Sequence, residues 1–323
     1  MKNLTYCNDT AKEPRMNMCQ TIESDICIKS MPRIGTRFPA SQKVTLTSNY
    51  SNQEFDSLII RGDALENLKK FKDNYFRCCV TSPPYWGLRD YGEPHQIGAE
   101  PEMQDYIDNL VKVFREVKRT LAEDGTLWLN IGDSYTSGNR AWRDADRKNP
   151  ARAMSYRPPT PQGLKPKDLI GIPWRLAFAL QSDGWYLRSD IIWHKPNCQP
   201  ESVKDRPTRC HEYLFLLSKS EKYNYVYDEL VEPSKTKNGF RNRRTVWSIN
   251  TEPFHYAHFA SFSKELVRPC ILASANENDI VLDPFFGSVT VGVVCLELNR
   301  RFVGIELKPE YVEIARKRIV EGS

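Results

Sequence analysis

Nine cysteines are spread through the 323 residues without one Cys-x-x-Cys pair, which excludes the common zinc and redox-dithiol spacings. Their odd number and irregular separation exclude a disulfide framework as well, so reduced, mostly buried thiols are expected. No apolar run approaches the ~18 uninterrupted residues of a membrane span, and no positively charged start leads into an apolar signal region. A soluble, cytoplasmic protein without a membrane partner is the expectation. Neither G-x-G-x-x-G nor G-x-x-x-x-G-K-S/T occurs, so the dinucleotide fingerprint and the P-loop are both missing. No internal repeat is visible. Charge of one sign is not in large excess either: 46 Lys and Arg face 41 Asp and Glu, a net +5. Binding to a polyanion would rest on local clusters, and two exist, over 140–157 and 235–244.

Residues 1–56 are polar, with Pro14, Pro32 and Pro39 among scattered Ser and Asn, and read as a partly irregular N-terminal extension. Strands and helices alternate afterwards. Apolar runs predict strands over 57–61, 77–81, 125–131, 188–193, 212–217, 280–282 and 301–305. Helical spacing predicts helices from an Asp63 cap at 64–68, then over 102–121, 167–181, 262–273 and 309–320, with one more after the turn at 283–288. This order implies an α/β fold, a mainly parallel sheet covered on both faces, with ligands at the carboxyl ends of its strands. Two basic segments, over about 134–164 and 228–256, are too long to be mere connectors.

Thr81-Ser82-Pro83-Pro84-Tyr85-Trp86 follows the apolar run Cys78-Cys79-Val80. It joins a hydroxyl, a rigid turn and two rings at a strand end. The exocyclic amine of a nucleobase is a poor nucleophile until acceptors draw its N–H bonds out of the ring plane. Ser82 offers one acceptor, and the carbonyl of Pro83 offers another, its direction fixed by the proline that follows. Tyr85 would cover the face of a base swung out of the duplex. Taken alone, the tetrapeptide also reads as a simple strand-ending turn or a polyproline ligand.

Asp283-Pro284-Phe285-Phe286-Gly287-Ser288 follows a second strand, and Gly304-Ile305-Glu306 closes a third. A glycine turn lets the backbone approach a ligand, and an acid at the end of the next strand can accept both ribose hydroxyls. Glu306 is the ribose candidate, and Asp63, after another strand, can take an adenine amino group. Each acid singly would be a turn or cap residue. Three acids at three strand ends describe an adenosyl-type nucleotide site.

Over about residues 57–320 the chain resembles the amino-methylating DNA methyltransferases of restriction-modification systems. The resemblance rests on Gly62-Asp63-Ala64-Leu65, Ser82-Pro83-Pro84-Tyr85, Lys165-Pro166-Lys167-Asp168-Leu169, Trp193-His194-Lys195-Pro196-Asn197, the 200–208 stretch, His211-Glu212, His258-Phe259-Ala260, Asp283 to Gly287 and Gly304 to Leu307. The catalytic motif precedes the cofactor motif, which is the β order. The resemblance implies a Rossmann-like S-adenosylmethionine-dependent methyltransferase fold, circularly permuted, with a seven-stranded mostly parallel sheet ending in a β-hairpin. It makes residues 57–323 the catalytic domain. It assigns Ser82, Pro83, Pro84 and Tyr85 to the target base. Asp63, Ala64, Asp283, Phe285, Gly287, Ser288 and Glu306 go to S-adenosylmethionine, with His258 and Phe259 at its methionine end. A serine heading the motif implies cytosine-N4 methylation, with adenine-N6 methylation as the alternative and a non-catalytic DNA-binding relative as a second. Double-stranded DNA is the implied partner, recognised by the 228–256 segment through Lys235, Lys237, Arg241, Arg243 and Arg244. A restriction endonuclease acting on the same site, without stable association, and a bacterial, archaeal or phage origin go with that reading. No metal is implied.

Two positions depart from simple matching. Pro269-Cys270 resembles the nucleophile dipeptide of enzymes that methylate the cytosine ring carbon, yet Leu266, Cys270 and Ala273 recur at helical spacing, which makes Cys270 a core residue. The family pattern Gly-Ser-Gly-Thr-Thr is here Gly287-Ser288-Val289-Thr290-Val291. A β-branched residue takes a left-handed backbone only with strain, so a strained turn and weaker cofactor binding are expected.

Overall fold

The computed structural model describes residues 26–28, 44–45, 54–55, 57–93, 96–137, 157–235, 239–252, 263–287 and 289–321. Seven strands lie side by side in the order Ser57–Arg61, Arg301–Glu306, Ile280–Asp283, Phe76–Thr81, Leu121–Ile131, His211–Ser218 and Tyr186–His194. The first five are parallel to one another. His211–Ser218 runs antiparallel to both neighbours and closes a hairpin with Tyr186–His194. The Phe76–Thr81 strand precedes Ile280–Asp283 by two hundred positions yet pairs with it directly, as the permuted order requires.

The sheet is wider than the sequence predicts. Ile26–Ile28 adds antiparallel to Ser57–Arg61 at one edge, and Val246–Ser248 adds parallel to Tyr186–His194 at the other, making nine strands rather than seven. Each added strand has three residues, too few for alternation to register as a pattern.

The central strands are buried on both faces, which is why they read as continuous apolar runs. On one face the Met103–Thr120 helix lays Tyr106, Leu110, Val113, Phe114 and Val117 against Leu127, Leu129 and Leu282. On the other, Leu266, Cys270 and Ile271 of the Lys264–Ser274 helix join Val294 and Cys295 against Ile59, Val80 and Val281. Cys270 is fully buried there, with its thiol on the Leu266 carbonyl at 3.2 Å, a core residue as its spacing predicts. The helix expected over 167–181 instead spans Ile172–Ser182. Gly171 before it has left-handed backbone, φ 80°, and Pro173 occupies the first turn, where its missing N–H costs nothing. Leu169, which extended the apparent periodicity, is exposed. Among the described residues no helix is long and apolar enough to cross a membrane, and no group of His, Cys, Asp and Glu is placed to hold a metal ion.

Candidate active site

The Phe76–Thr81 strand delivers the Pro-Pro turn at its carboxyl end. The Pro84 carbonyl accepts the hydroxyl of the fully buried Tyr106 at 2.8 Å, and the Trp86 indole donates to the Glu100 carbonyl at 2.8 Å. The turn is therefore tied to the protein at Pro84 and again at Trp86, beyond the rigidity of its prolines. The Tyr85 hydroxyl donates to Glu212 at 2.9 Å, and the Ser82 hydroxyl reaches the Tyr85 oxygen at 3.5 Å. Burial, reinforced by the neighbouring Glu212 carboxylate, raises the Tyr85 phenol well above its ordinary value, so it remains a hydrogen-bond donor.

Next to this strand, Asp283 closes Ile280–Asp283 and is buried. One of its oxygens accepts both the Thr81 hydroxyl at 2.6 Å and the Phe285 N–H at 3.1 Å. Burial pushes the Asp283 carboxyl up to about 7, against the pull of those two donors. Glu306, at the end of the following strand, accepts from the Gly287 N–H at 2.8 Å and from the Lys308 N–H at 2.9 Å. Burial raises its pKa too, with the backbone donors opposing. The Phe286 ring lies on Gly304, where a Cβ would stand 2.3 Å from the ring. Only glycine lets the ring approach so closely, and this contact sets the height of the turn over the sheet.

Asp63 accepts from the Glu66 N–H at 2.9 Å and caps the Ala64–Leu68 helix, its side chain exposed. All these residues meet at one cleft across the carboxyl ends of four parallel strands. Ser82, Pro83, Pro84 and Tyr85 line one side, and Asp63, Ala64, Asp283, Phe285, Gly287 and Glu306 line the other. Arg89, Tyr91, Lys308 and Tyr311 add a wall that the sequence reading missed. Tyr91 and Tyr311 meet edge to face at 6.3 Å, a contact between distant segments with no local signal. Ser288, His258 and Phe259 lie outside the described residues. Val289 does adopt the left-handed backbone, φ 66°, at the start of the Thr290–Glu297 helix, and is fully buried.

The basic residues expected to meet DNA lie elsewhere and differ among themselves. Lys235 and Arg244 are exposed. Arg241 pairs with Glu232 at 2.7 Å across a short hairpin, Val231–Pro233 with Phe240–Asn242. The Arg243 guanidinium lies 4.0 Å over the Trp247 ring, and burial lowers its pKa. Lys237 is outside the described residues.

A sequence family described as DNA methylase matches residues 76–317. The chain belongs to that family. This methylase is 66% identical over 261 residues to the type II methyltransferase M.Cfr9I of Citrobacter freundii, covering 81% of this chain and 87% of that one. It is 65% identical over 263 residues to the type II methyltransferase M.SmaI of Serratia marcescens, covering 81% and 90%. Among solved structures, PvuII DNA methyltransferase (cytosine-N4-specific) superposes with a TM-score of 0.61 at 20% identity, over 88% of this chain and 96% of that one. M1.HpyAVI in its complex with S-adenosylmethionine gives 0.50 at 21% identity, over 81% and 98%. The methylase therefore has the S-adenosylmethionine-dependent methyltransferase fold. It is a type II DNA methyltransferase of the restriction-modification kind that modifies a base amine, at N4 or N6, with S-adenosylmethionine as donor. Its cleft suits that donor: Asp283 and the glycine-bearing turn close one strand, the buried Glu306 closes the next, and Phe285 supplies an apolar wall.

Proposed function

We propose that this methylase transfers the methyl group of S-adenosylmethionine to the N4 amine of a cytosine swung out of double-stranded DNA. The observation that carries the reading is Ser82, a short neutral hydroxyl at the head of the Pro-Pro turn, in the cleft beside the cofactor-type turn. Tyr85 gives its own proton to Glu212 and stands 3.5 Å from the Ser82 oxygen, so the Ser82 lone pairs are available to an amine N–H. The fold likeness to a protein described as cytosine-N4-specific supports the same target.

The bound cofactor supplies a methyl group activated by its sulfonium charge. The protein's part is alignment. Ser82 and the Pro83 carbonyl accept the two amine hydrogens, which turns the nitrogen lone pair out of the base plane. Pro84 keeps that carbonyl in place, and the Tyr85 ring covers the base. Glu306 takes the ribose hydroxyls, using lone pairs left after its two backbone bonds. Asp63 and Ala64 line the adenine side, Asp283, Phe285 and Gly287 form the floor, and Ser288 goes to the same cofactor. His258 and Phe259 complete the methionine end. Residues 57–323 act as the catalytic domain, with 134–164 and 228–256 contacting DNA and the second segment selecting the sequence through Lys235, Lys237 and Arg244, while Arg241 and Arg243 brace that segment by their contacts within the protein. A restriction endonuclease cutting the same site is the expected companion.

Digestion of DNA modified by the purified protein, followed by mass spectrometry of the nucleosides, tests the target. N4-methylcytosine is expected. N6-methyladenine would transfer the reading to the other amine, and no methylated nucleoside together with no cofactor binding by calorimetry would leave a DNA-binding relative.

A further inference from the structure

The hairpin formed by Tyr186–His194 and His211–Ser218 carries a buried ion pair directly beneath the Pro-Pro turn. Lys195 donates to one Glu212 oxygen at 2.5 Å, and the other oxygen accepts the Tyr85 hydroxyl at 2.9 Å and the Asn130 amide at 3.2 Å. The Lys195 and Glu212 side chains are only 14% and 15% exposed. Burial raises the Glu212 pKa, but the Lys195 charge and three hydrogen bonds outweigh it and hold the carboxyl below its ordinary range. The ammonium also sits 4.1 Å over the Trp193 ring, which anchors it from the far side.

Such a pair contributes little to stability, because desolvating two charges offsets most of their attraction and apolar residues would serve a core as well. It does fix geometry. Gly132 lies against the same ring: a Cβ there would stand 2.6 Å from Cε2 of Tyr85 and 3.3 Å from Cγ of Glu212. The chain just beyond the Leu121–Ile131 strand thus leaves room for one edge of the Tyr85 ring, while Glu212 holds the ring's hydroxyl end. With a rigid Pro-Pro turn at one end and an ionised acceptor at the other, the ring keeps one orientation.

We propose that Glu212 and Lys195 are positioning residues for methyl transfer: Glu212 holds the Tyr85 hydroxyl so that the ring stands ready to stack on the target base, and Lys195 clamps Glu212 by its other oxygen. The inference rests on the reading that Tyr85 covers the base. It gives a role to the Trp193-His194-Lys195 and His211-Glu212 blocks, which the cofactor cleft does not use.

The test measures single-turnover methylation, S-adenosylmethionine affinity and the fluorescence of pyrrolocytosine at the target position in bound DNA. Variants are Tyr85→Phe, Glu212→Gln, K195M/E212M, Y85F combined with each of the last two, and Tyr85→Ala. K195M/E212M leaves no unpaired buried charge and should fold even if Glu212→Gln does not. Y85F and K195M/E212M should each slow transfer about 10- to 100-fold, with cofactor affinity unchanged and fluorescence raised as the base loses its stacking partner. Combining Y85F with E212Q, or with K195M/E212M, should slow transfer no further than the slower parent, since Y85F and K195M/E212M remove the same bond and E212Q, whose amide oxygen still accepts, at most weakens it. Losses that multiply in the combined variants, or wild-type transfer by K195M/E212M, would overturn the positioning role. Tyr85→Ala separates the underlying reading: a slow Y85A beside a fast Y85F and K195M/E212M sinks only the positioning role, whereas a fast Y85A sinks the base-covering role and the inference with it.

Discussion

Thr81 and Asp283 are joined by a 2.6 Å hydrogen bond from hydroxyl to carboxylate, and 202 positions of sequence separate them. The bond ties the strand that carries the Pro-Pro turn to the strand that carries the glycine turn, at the point where both leave the sheet. Substituting Thr81 with Val keeps the shape and removes the donor, leaving a buried acid with one partner fewer. Stability should fall by about 1–3 kcal/mol, readable from denaturant unfolding. An unchanged midpoint would mean that the Phe285 N–H suffices.

Asp283 also gives stability a pH dependence of defined sign. Its folded-state pKa is about 7, against an ordinary 3.8. Between those values the unfolded chain has released the proton and the folded chain still holds it, so raising the pH favours unfolding. The contribution is fully present below about pH 4 and is lost as the pH rises through about 7. Asp283→Asn has no proton to lose. In the ligand-free protein its Tm advantage over wild type should grow from about pH 5 to about pH 8 and then level off. A constant difference across that series would contradict the buried, protonated carboxyl.

Much of this site is legible in the sequence because proline and glycine mark it. The Pro83-Pro84 turn and the Asp283 to Gly287 turn each end an apolar run, and the alternation of runs fixes which ends share a face. What stays hidden is contact between distant segments. Glu212 stands out in the sequence as an acid near the start of the apolar strand His211–Ser218 and as part of the His211-Glu212 block of the resemblance, and nothing local couples it to Tyr85, 127 positions earlier. The same limit applies to charge. Lys235, Arg241, Arg243 and Arg244 look alike in a basic run, yet Arg241 and Arg243 are engaged within the protein. Where local rules did mislead, a special backbone was responsible: Gly171 and Pro173 delay a helix whose apolar spacing starts earlier.

Val289 shows strain accepted rather than avoided. Its φ of 66° costs a non-glycine residue about 1–2 kcal/mol, but the side chain is fully buried among Phe286, Phe302 and the residues of the following helix. Val289→Gly would relieve the strain, lose about 1.5–3 kcal/mol of burial and add a cavity. The net expectation is destabilisation by about 1–2 kcal/mol. Because the turn already has the left-handed form, cofactor affinity should stay within about threefold of wild type, checked by calorimetry. A large gain in affinity on substitution would restore the expectation of a weakened site.

The proposed mechanism places the whole demand for amine polarisation on Ser82 and the Pro83 carbonyl. Ser82→Ala removes one of the two acceptors without touching Asp283 or Glu306. Turnover should fall about 100-fold or more, the scale for one lost transition-state hydrogen bond, with S-adenosylmethionine affinity unchanged. Parallel single-turnover and calorimetric measurements separate the two effects, and wild-type turnover would remove Ser82 from the mechanism.

Arginines next to each other in the basic segment should behave differently when each is replaced by Ala. Arg244 is exposed and contributes its backbone carbonyl, not its guanidinium, to the bond with the Trp247 indole at 2.8 Å. A phosphate contact made by that guanidinium releases counterions, so R244A should lower the slope of log affinity against log salt by about 1 while leaving stability alone. Arg243 has its guanidinium on the Trp247 ring and is partly desolvated. R243A should therefore lower stability by roughly 1 kcal/mol and leave the salt slope nearly unchanged. Fluorescence anisotropy with a DNA duplex at several salt concentrations, beside thermal melts of both variants, reads each quantity. If R243A flattened the salt slope as much as R244A, Arg243 would have to leave the Trp247 ring when DNA binds, and its folded position would describe only the free protein.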